Sequence, residues 1–113
     1  FEMPESYTGM CRLIDSGADF SAVFTLSDTM AISAMKALED RGRRVPEDCS
    51  VIAIDGLTVS EYVSPTLTTL VQPAEEMGRE SVRILVDILD NGGANRHVRL
   101  EAKIRPGASV KQL

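Results

Sequence analysis

Asp55 is the residue of this chain best placed to do chemistry. It ends an apolar run, Val51, Ile52, Ala53 and Ile54, and stands directly before Gly56. An ionised carboxylate only accepts hydrogen bonds, so it suits a ligand that offers hydroxyl or N–H donors. A carboxylate at the carboxyl end of a buried parallel strand lies where open α/β sheets bind their ligands. An Asp before a glycine can equally begin a turn, and the residue alone leaves both roles open. Ser27 is the second candidate. It follows the stretch FSAVFTL (20–26), so it too would sit just beyond a strand. Its hydroxyl can meet a ligand, cap the helix that follows, or do both.

Other chemistries find little support. Ser27, Asp55 and the single histidine, His97, can be drawn as a hydrolase triad, but no G-x-S-x-G surrounds Ser27. His97 follows a Gly-Ala-Asn turn and reads as solvent-facing. No G-x-G-x-x-G or Walker motif is present. The two cysteines, Cys11 and Cys49, lack metal-ligand spacing and read as reduced thiols of a cytosolic protein. The expectation is a protein that is not an enzyme, with no catalytic residue, metal or cofactor.

The elements that must position Asp55 and Ser27 follow from periodicity. The β-branched run 51–55 fits a strand covered on both faces, as in a parallel sheet. A helix is expected over 5–17, with Tyr7, Met10, Cys11 and Ile14 at helical spacing and Gly17 at its end; 1–4 reads as a loop. A strand over 20–26 follows. Ser27 or Asp28 then caps a helix carrying Met30, Ala31, Ala34, Met35 and Leu38 on one stripe and ending at Gly42. After Asp55 come a loop over 56–66, a strand over 67–71, and a helix over 74–89 with Met77, Val82, Leu85, Ile88 and Leu89 on one face. A last strand is expected over 98–104, with a loose tail beyond Arg105-Pro106-Gly107. Strand, helix, strand is a βαβ pattern, which makes the strands parallel and opens Ser27 and Asp55 onto one crevice.

The totals bound what such a fold can do. The chain has 113 residues, 43% of them apolar, enough for one small domain. Acidic residues outnumber basic ones 17 to 12, a net charge of −5, which argues against a direct grip on nucleic-acid phosphates. No run approaches the roughly 20 apolar residues of a membrane span. The start, FEMPESYTGM, has neither the regions of a signal peptide nor an initiator Met, so a piece of a longer chain is expected.

Three blocks carry a resemblance. SDTMAISAMKALEDRGRRVPEDCSVIAIDG has a small polar residue, Asp, a helix ending in Gly and a "VP-D-SV" run. SPTLTTLVQPAEEMGRESVRILVDIL has the spacing "P-LTT--QP--E-G". FEMPESYTGM looks like an aromatic-led loop before a helix. The chain resembles the carboxyl-terminal part of the lactose-repressor/galactose-repressor family of bacterial transcription regulators.

The resemblance implies an α/β, parallel-sheet sandwich of the type I periplasmic-binding-protein kind. Residues 1–72 would form its carboxyl-terminal lobe, 73–100 would pack in the amino-terminal lobe, and 101–113 would be a return strand and tail. It makes Asp55 an effector-binding residue, with Ser27 and the aromatic Phe1 as further ligand contacts. It places Met30, Ile32, Met35, Tyr62 and Val63 on a dimer interface. Gly56 departs from the family's usual second acidic or amide residue. The implied function is the effector-binding and dimerisation region of a cytoplasmic repressor that senses a sugar or related metabolite. The implied partners are a small-molecule effector, a second copy of the chain in a homodimer, and operator DNA through an amino-terminal helix-turn-helix domain absent here. A periplasmic sugar-binding protein of a transport system is the competing reading.

Overall fold

Helix α1 (Met3–Asp15) begins two residues earlier than the periodicity suggested. Pro4 is the reason: proline presets helical φ and needs no N–H partner in a first turn, so it opens the helix instead of ending a loop. The computed structural model describes residues 2–113. Strand β1 is Ala22–Phe24, shorter than expected. Phe20 is taken up by Arg43, whose guanidinium lies 4.2 Å from the ring centroid and donates to the Phe20 carbonyl at 2.6 Å. Helix α2 (Asp28–Asp40) starts on Ser27, whose Oγ accepts the Met30 N–H at 3.2 Å. Beyond it, Gly42 takes a φ of +71°, open to a residue without Cβ.

Strand β2 (Ser50–Asp55) pairs in parallel with β1 on one side and with β3 (Thr68–Val71) on the other. Strand β4 (Lys103–Arg105) completes a sheet of order β1-β2-β3-β4. The parallel βαβ reading therefore holds. The expectation that β2 is covered on both faces does not. Val51 and Ala53 are fully buried in a core with Ala31, Ala34, Met35, Ala37 and Leu38 of α2, whereas Ile52 and Ile54 are half-buried. One face of the strand meets the helices and the other does not, so burial alternates with the pleat.

The last strand is also shorter than the expected 98–104, because 92–102 take no regular structure. The tail is not loose. Before β3 begins, the Val51 N–H has no strand partner on that side, and the Ser109 carbonyl accepts it at 2.8 Å. The Ser109 hydroxyl donates to the Val51 carbonyl at 2.6 Å and accepts the Thr68 N–H at 2.8 Å. Ser109 is fully buried and so ties β2 to β3 at their starts.

The chain divides into two compact units, residues 2–71 with 104–113, and residues 72–103. The first holds the core just described. The second is built on helix α3 (Ala74–Asn91), which ends at Gly92 with φ +60°. No residue of α3 is buried; Met77, Val82, Leu85, Val86 and Leu89 all stand exposed.

Candidate functional site: the turn after strand β2

The register brings Ser27 and Asp55 to the same end of the sheet. Phe24 of β1 pairs with Ile52 of β2, and each candidate lies three residues beyond its member of that pair. Both therefore occupy the carboxyl ends of adjacent parallel strands, as the sequence suggested.

Asp55 is half-buried and already holds a polar partner. Its φ is +139°, the only positive value among the described non-glycine residues. A non-glycine residue held there costs about 1–3 kcal/mol and persists only where its surroundings fix it. Gly56 follows with φ +79°, and a Cβ on it would lie 2.7 Å from Val71 Cγ1 and 2.8 Å from Val71 Cα. The missing second polar side chain at this place is thus a steric requirement of the turn.

Two groups fix the turn. From within the fold, the fully buried Asp28 accepts the Leu57 N–H on Oδ2 at 2.7 Å and the Thr69 hydroxyl on Oδ1. Thr69 Oγ1 in turn accepts the Gly56 N–H at 3.3 Å. Sequence reasoning offered Asp28 as an alternative helix cap; the structure gives the cap to Ser27 and turns Asp28 inward. From the last strand, Arg105 donates to the carbonyls of Gly56 (3.4 Å) and Leu57 (2.9 Å), to the Ser60 hydroxyl, and to Glu61 Oε1 (2.8 Å). These acceptors lie on the turn and on the 3-10 helix that follows it, Thr58–Glu61. Sequence reasoning missed Arg105, which lies more than forty residues from them; no local pattern signals such a contact.

Ser27 does the capping that was one of its two roles. Its Oγ also meets Thr29 Oγ1 at 3.0 Å, with either hydroxyl able to donate. Ser27 and Thr29 share a proton between them and so leave one hydroxyl hydrogen for a third group. Phe1 lies outside the described residues. His97 is exposed, as expected.

The residues expected to pair two subunits separate. Ile32, Met35 and Val63 line one hollow of about 560 Å³, together with Val45 and Pro65 and with Lys36 and Arg43. Met30 faces a different hollow of about 290 Å³, beside Met10, Leu13, Phe24 and Leu26. Tyr62 is 84% exposed and lines neither.

Residues 4–110 match the family of periplasmic binding protein-like domains, and the chain belongs to that family. Among named relatives, the HTH-type transcriptional regulator CelR of Thermobifida fusca is 42% identical over 88% of this chain and 29% of its own length. The HTH-type transcriptional repressor PurR of Vibrio atlanticus is 35% identical over 100% of this chain and 34% of its own. The solved CelR–cellobiose complex matches with a TM-score of 0.86 and 40% identity, over 96% of this chain and 34% of that one. A LacI-family regulator from Arthrobacter sp. FB24 in complex with lactose matches with a TM-score of 0.81 and 29% identity, over 94% and 40%. The resemblance to lactose- and galactose-repressor-type regulators is borne out. The chain spans about a third of the length of these curated relatives.

Proposed function

We propose that this chain is the effector-binding and pairing portion of a cytoplasmic transcription repressor that senses a sugar or related metabolite, and is not an enzyme. The observation that carries the reading is Asp55, a carboxylate held at positive φ at the carboxyl end of a parallel strand, at the same end of the sheet as Ser27. The kinship to regulators solved with cellobiose and with lactose supports it. On this reading residues 2–71 and 104–113 are the carboxyl-terminal lobe. Residues 72–103 belong with an amino-terminal lobe, and Phe1 adds an aromatic face to the ligand. Operator binding resides in a helix-turn-helix domain elsewhere in the protein.

A ligand can shift a regulator between states only by binding one better than the other. Asp55 supplies a charge-assisted acceptor for a sugar hydroxyl, and the Ser27–Thr29 pair a hydroxyl donor. The paired state is a homodimer through the hollow lined by Ile32, Met35 and Val63, while Met30 and Tyr62 lie apart from that hollow. The test is titration calorimetry of the whole regulator with cellobiose, lactose and ribose. Asp55→Ala is expected to weaken the bound sugar roughly tenfold to a hundredfold, the loss of about 1.5–3 kcal/mol typical of a hydrogen bond to a charged group. Unaltered affinity in that variant would remove Asp55 from the site.

A further inference from the structure

We propose that Arg105 is a positioning residue for the ligand-binding turn, holding Asp55 in place from the strand that re-enters the first unit. The inference rests on the reading of Asp55 as a ligand contact. Among the described residues, Arg105 hydrogen-bonds neither Ser27 nor Asp55. Its guanidinium spends its donors on four acceptors, two carbonyls, one hydroxyl and one carboxylate, all between Gly56 and Glu61. A planar fork of five N–H groups can meet that many acceptors in fixed directions; an ammonium cannot.

The place of these contacts in the chain gives them meaning. The chain leaves the first unit after Val71 and re-enters it at Ile104. Val71 is the pairing partner of Asp55 and the atom wall against which Gly56 is pressed. Arg105 is the residue just after re-entry. Both passages between units therefore abut the same turn, one by backbone pairing and one by the guanidinium. Asp28 and Thr69 anchor the turn within the core, but they bind only the N–H groups of Gly56 and Leu57. Both carbonyls accept from Arg105, and that of Leu57 also accepts the Ser60 N–H at 3.1 Å and the Ser60 hydroxyl at 2.6 Å. Without it the Gly56 carbonyl has no side-chain donor among the described residues, and the 3-10 helix loses the hydrogen bonds that Arg105 gives Ser60 and Glu61.

The consequence is a residue whose loss loosens residues 56–62 and the Asp55 geometry without dissolving the core beneath. The experiment is hydrogen–deuterium exchange on the whole regulator carrying Arg105→Gln, with Ser109→Ala as a control that weakens the sheet elsewhere. Sugar titration with cellobiose, lactose and ribose is run on the same samples. In Arg105→Gln the amides of Leu57, Ser60 and Tyr62 are expected to exchange about tenfold faster, with Val51–Ile54 within about twofold of wild type, a local opening. In Ser109→Ala the strand amides should rise instead, and sugar affinity should stay within about twofold while Arg105→Gln loses about tenfold. Arg105→Lys should restore the ion pair with Glu61 but only part of the protection.

Equal acceleration across β2 and the turn in Arg105→Gln, or none at the turn, would overturn the proposal. Should Arg105→Gln fail to fold, Glu61→Gln removes a single acceptor and should show the same local pattern at lower amplitude; a uniform or absent change there would equally overturn it. If the wild-type protein takes up none of the three sugars, the sugar reading falls, while the exchange pattern still decides the role of Arg105.

Discussion

Gly56 and Asp28 fix the turn that carries Asp55, the proposed ligand contact. Gly56→Ala is expected to destabilise the protein by about 2 kcal/mol, since the new methyl meets Val71 backbone and the φ of +79° is strained for any Cβ. Asp28→Ala should cost more, about 3 kcal/mol, because it leaves the Leu57 N–H and the Thr69 hydroxyl buried without an acceptor. Urea titrations of both variants check these values. The place of Asp55 at the end of a parallel strand was legible in the sequence because an apolar run ending in Asp-Gly is a local signal. Ser27 and Asp28 were left as alternative caps, because a Ser-Asp pair before a helix offers two and only tertiary packing decides which side chain turns inward. Arg105 was not legible at all, since its partners lie on a loop distant in the chain.

At the scale of elements, helices were easier to read than strands. The stripes of α1 and α2 and the glycines after them placed both helices to within a few residues. Strand limits were set by pairing, which periodicity does not contain: β1 ends where its partner's register ends, and β4 spans only the residues that reach β3. The tail escaped notice because its anchor is one serine. Ser109→Ala removes two buried hydrogen bonds, one of them the only side-chain acceptor for the Thr68 N–H, and should cost about 2 kcal/mol in thermal or urea unfolding. The proposed pairing surface is a matter of elements too. Ile32, Met35 and Val63 bring α2 and the loop before β3 to one hollow. Ile32→Asp places a charge beside Met35 and Val63, and sedimentation should show the proposed dimer giving way to monomer, at least about tenfold weaker association.

For the molecule as a whole, acid response follows from exposed ion pairs. Asp48 is held well below the ordinary carboxylate range by the Arg44 side chain and its backbone N–H. Asp40 is lowered by Lys36 and then Tyr7, and Asp15 by Arg41. Because these folded-state values lie below the unfolded value of 3.8, their stabilisation is complete at neutral pH and is lost as pH falls beneath it. The urea midpoint should be flat down to about pH 5 and decline below about pH 4, with a smaller decline in Asp48→Asn. Each pair is exposed, so the individual contributions are small. The apolar row of α3 acts at this scale as well. Prepared as the 113 residues alone, the chain should associate through Met77, Val82, Leu85 and Leu89, and light scattering over a concentration series should show it. Replacing Leu85 and Leu89 with Lys should restore a monomer.

The serine knot at position 109 sets a rule for anyone who shortens or labels this protein. A cut or a fused reporter placed between Gly107 and Ser109 would unbutton the starts of β2 and β3. Any useful splice point therefore lies past Lys111, whose own N–H still rests on Ser50.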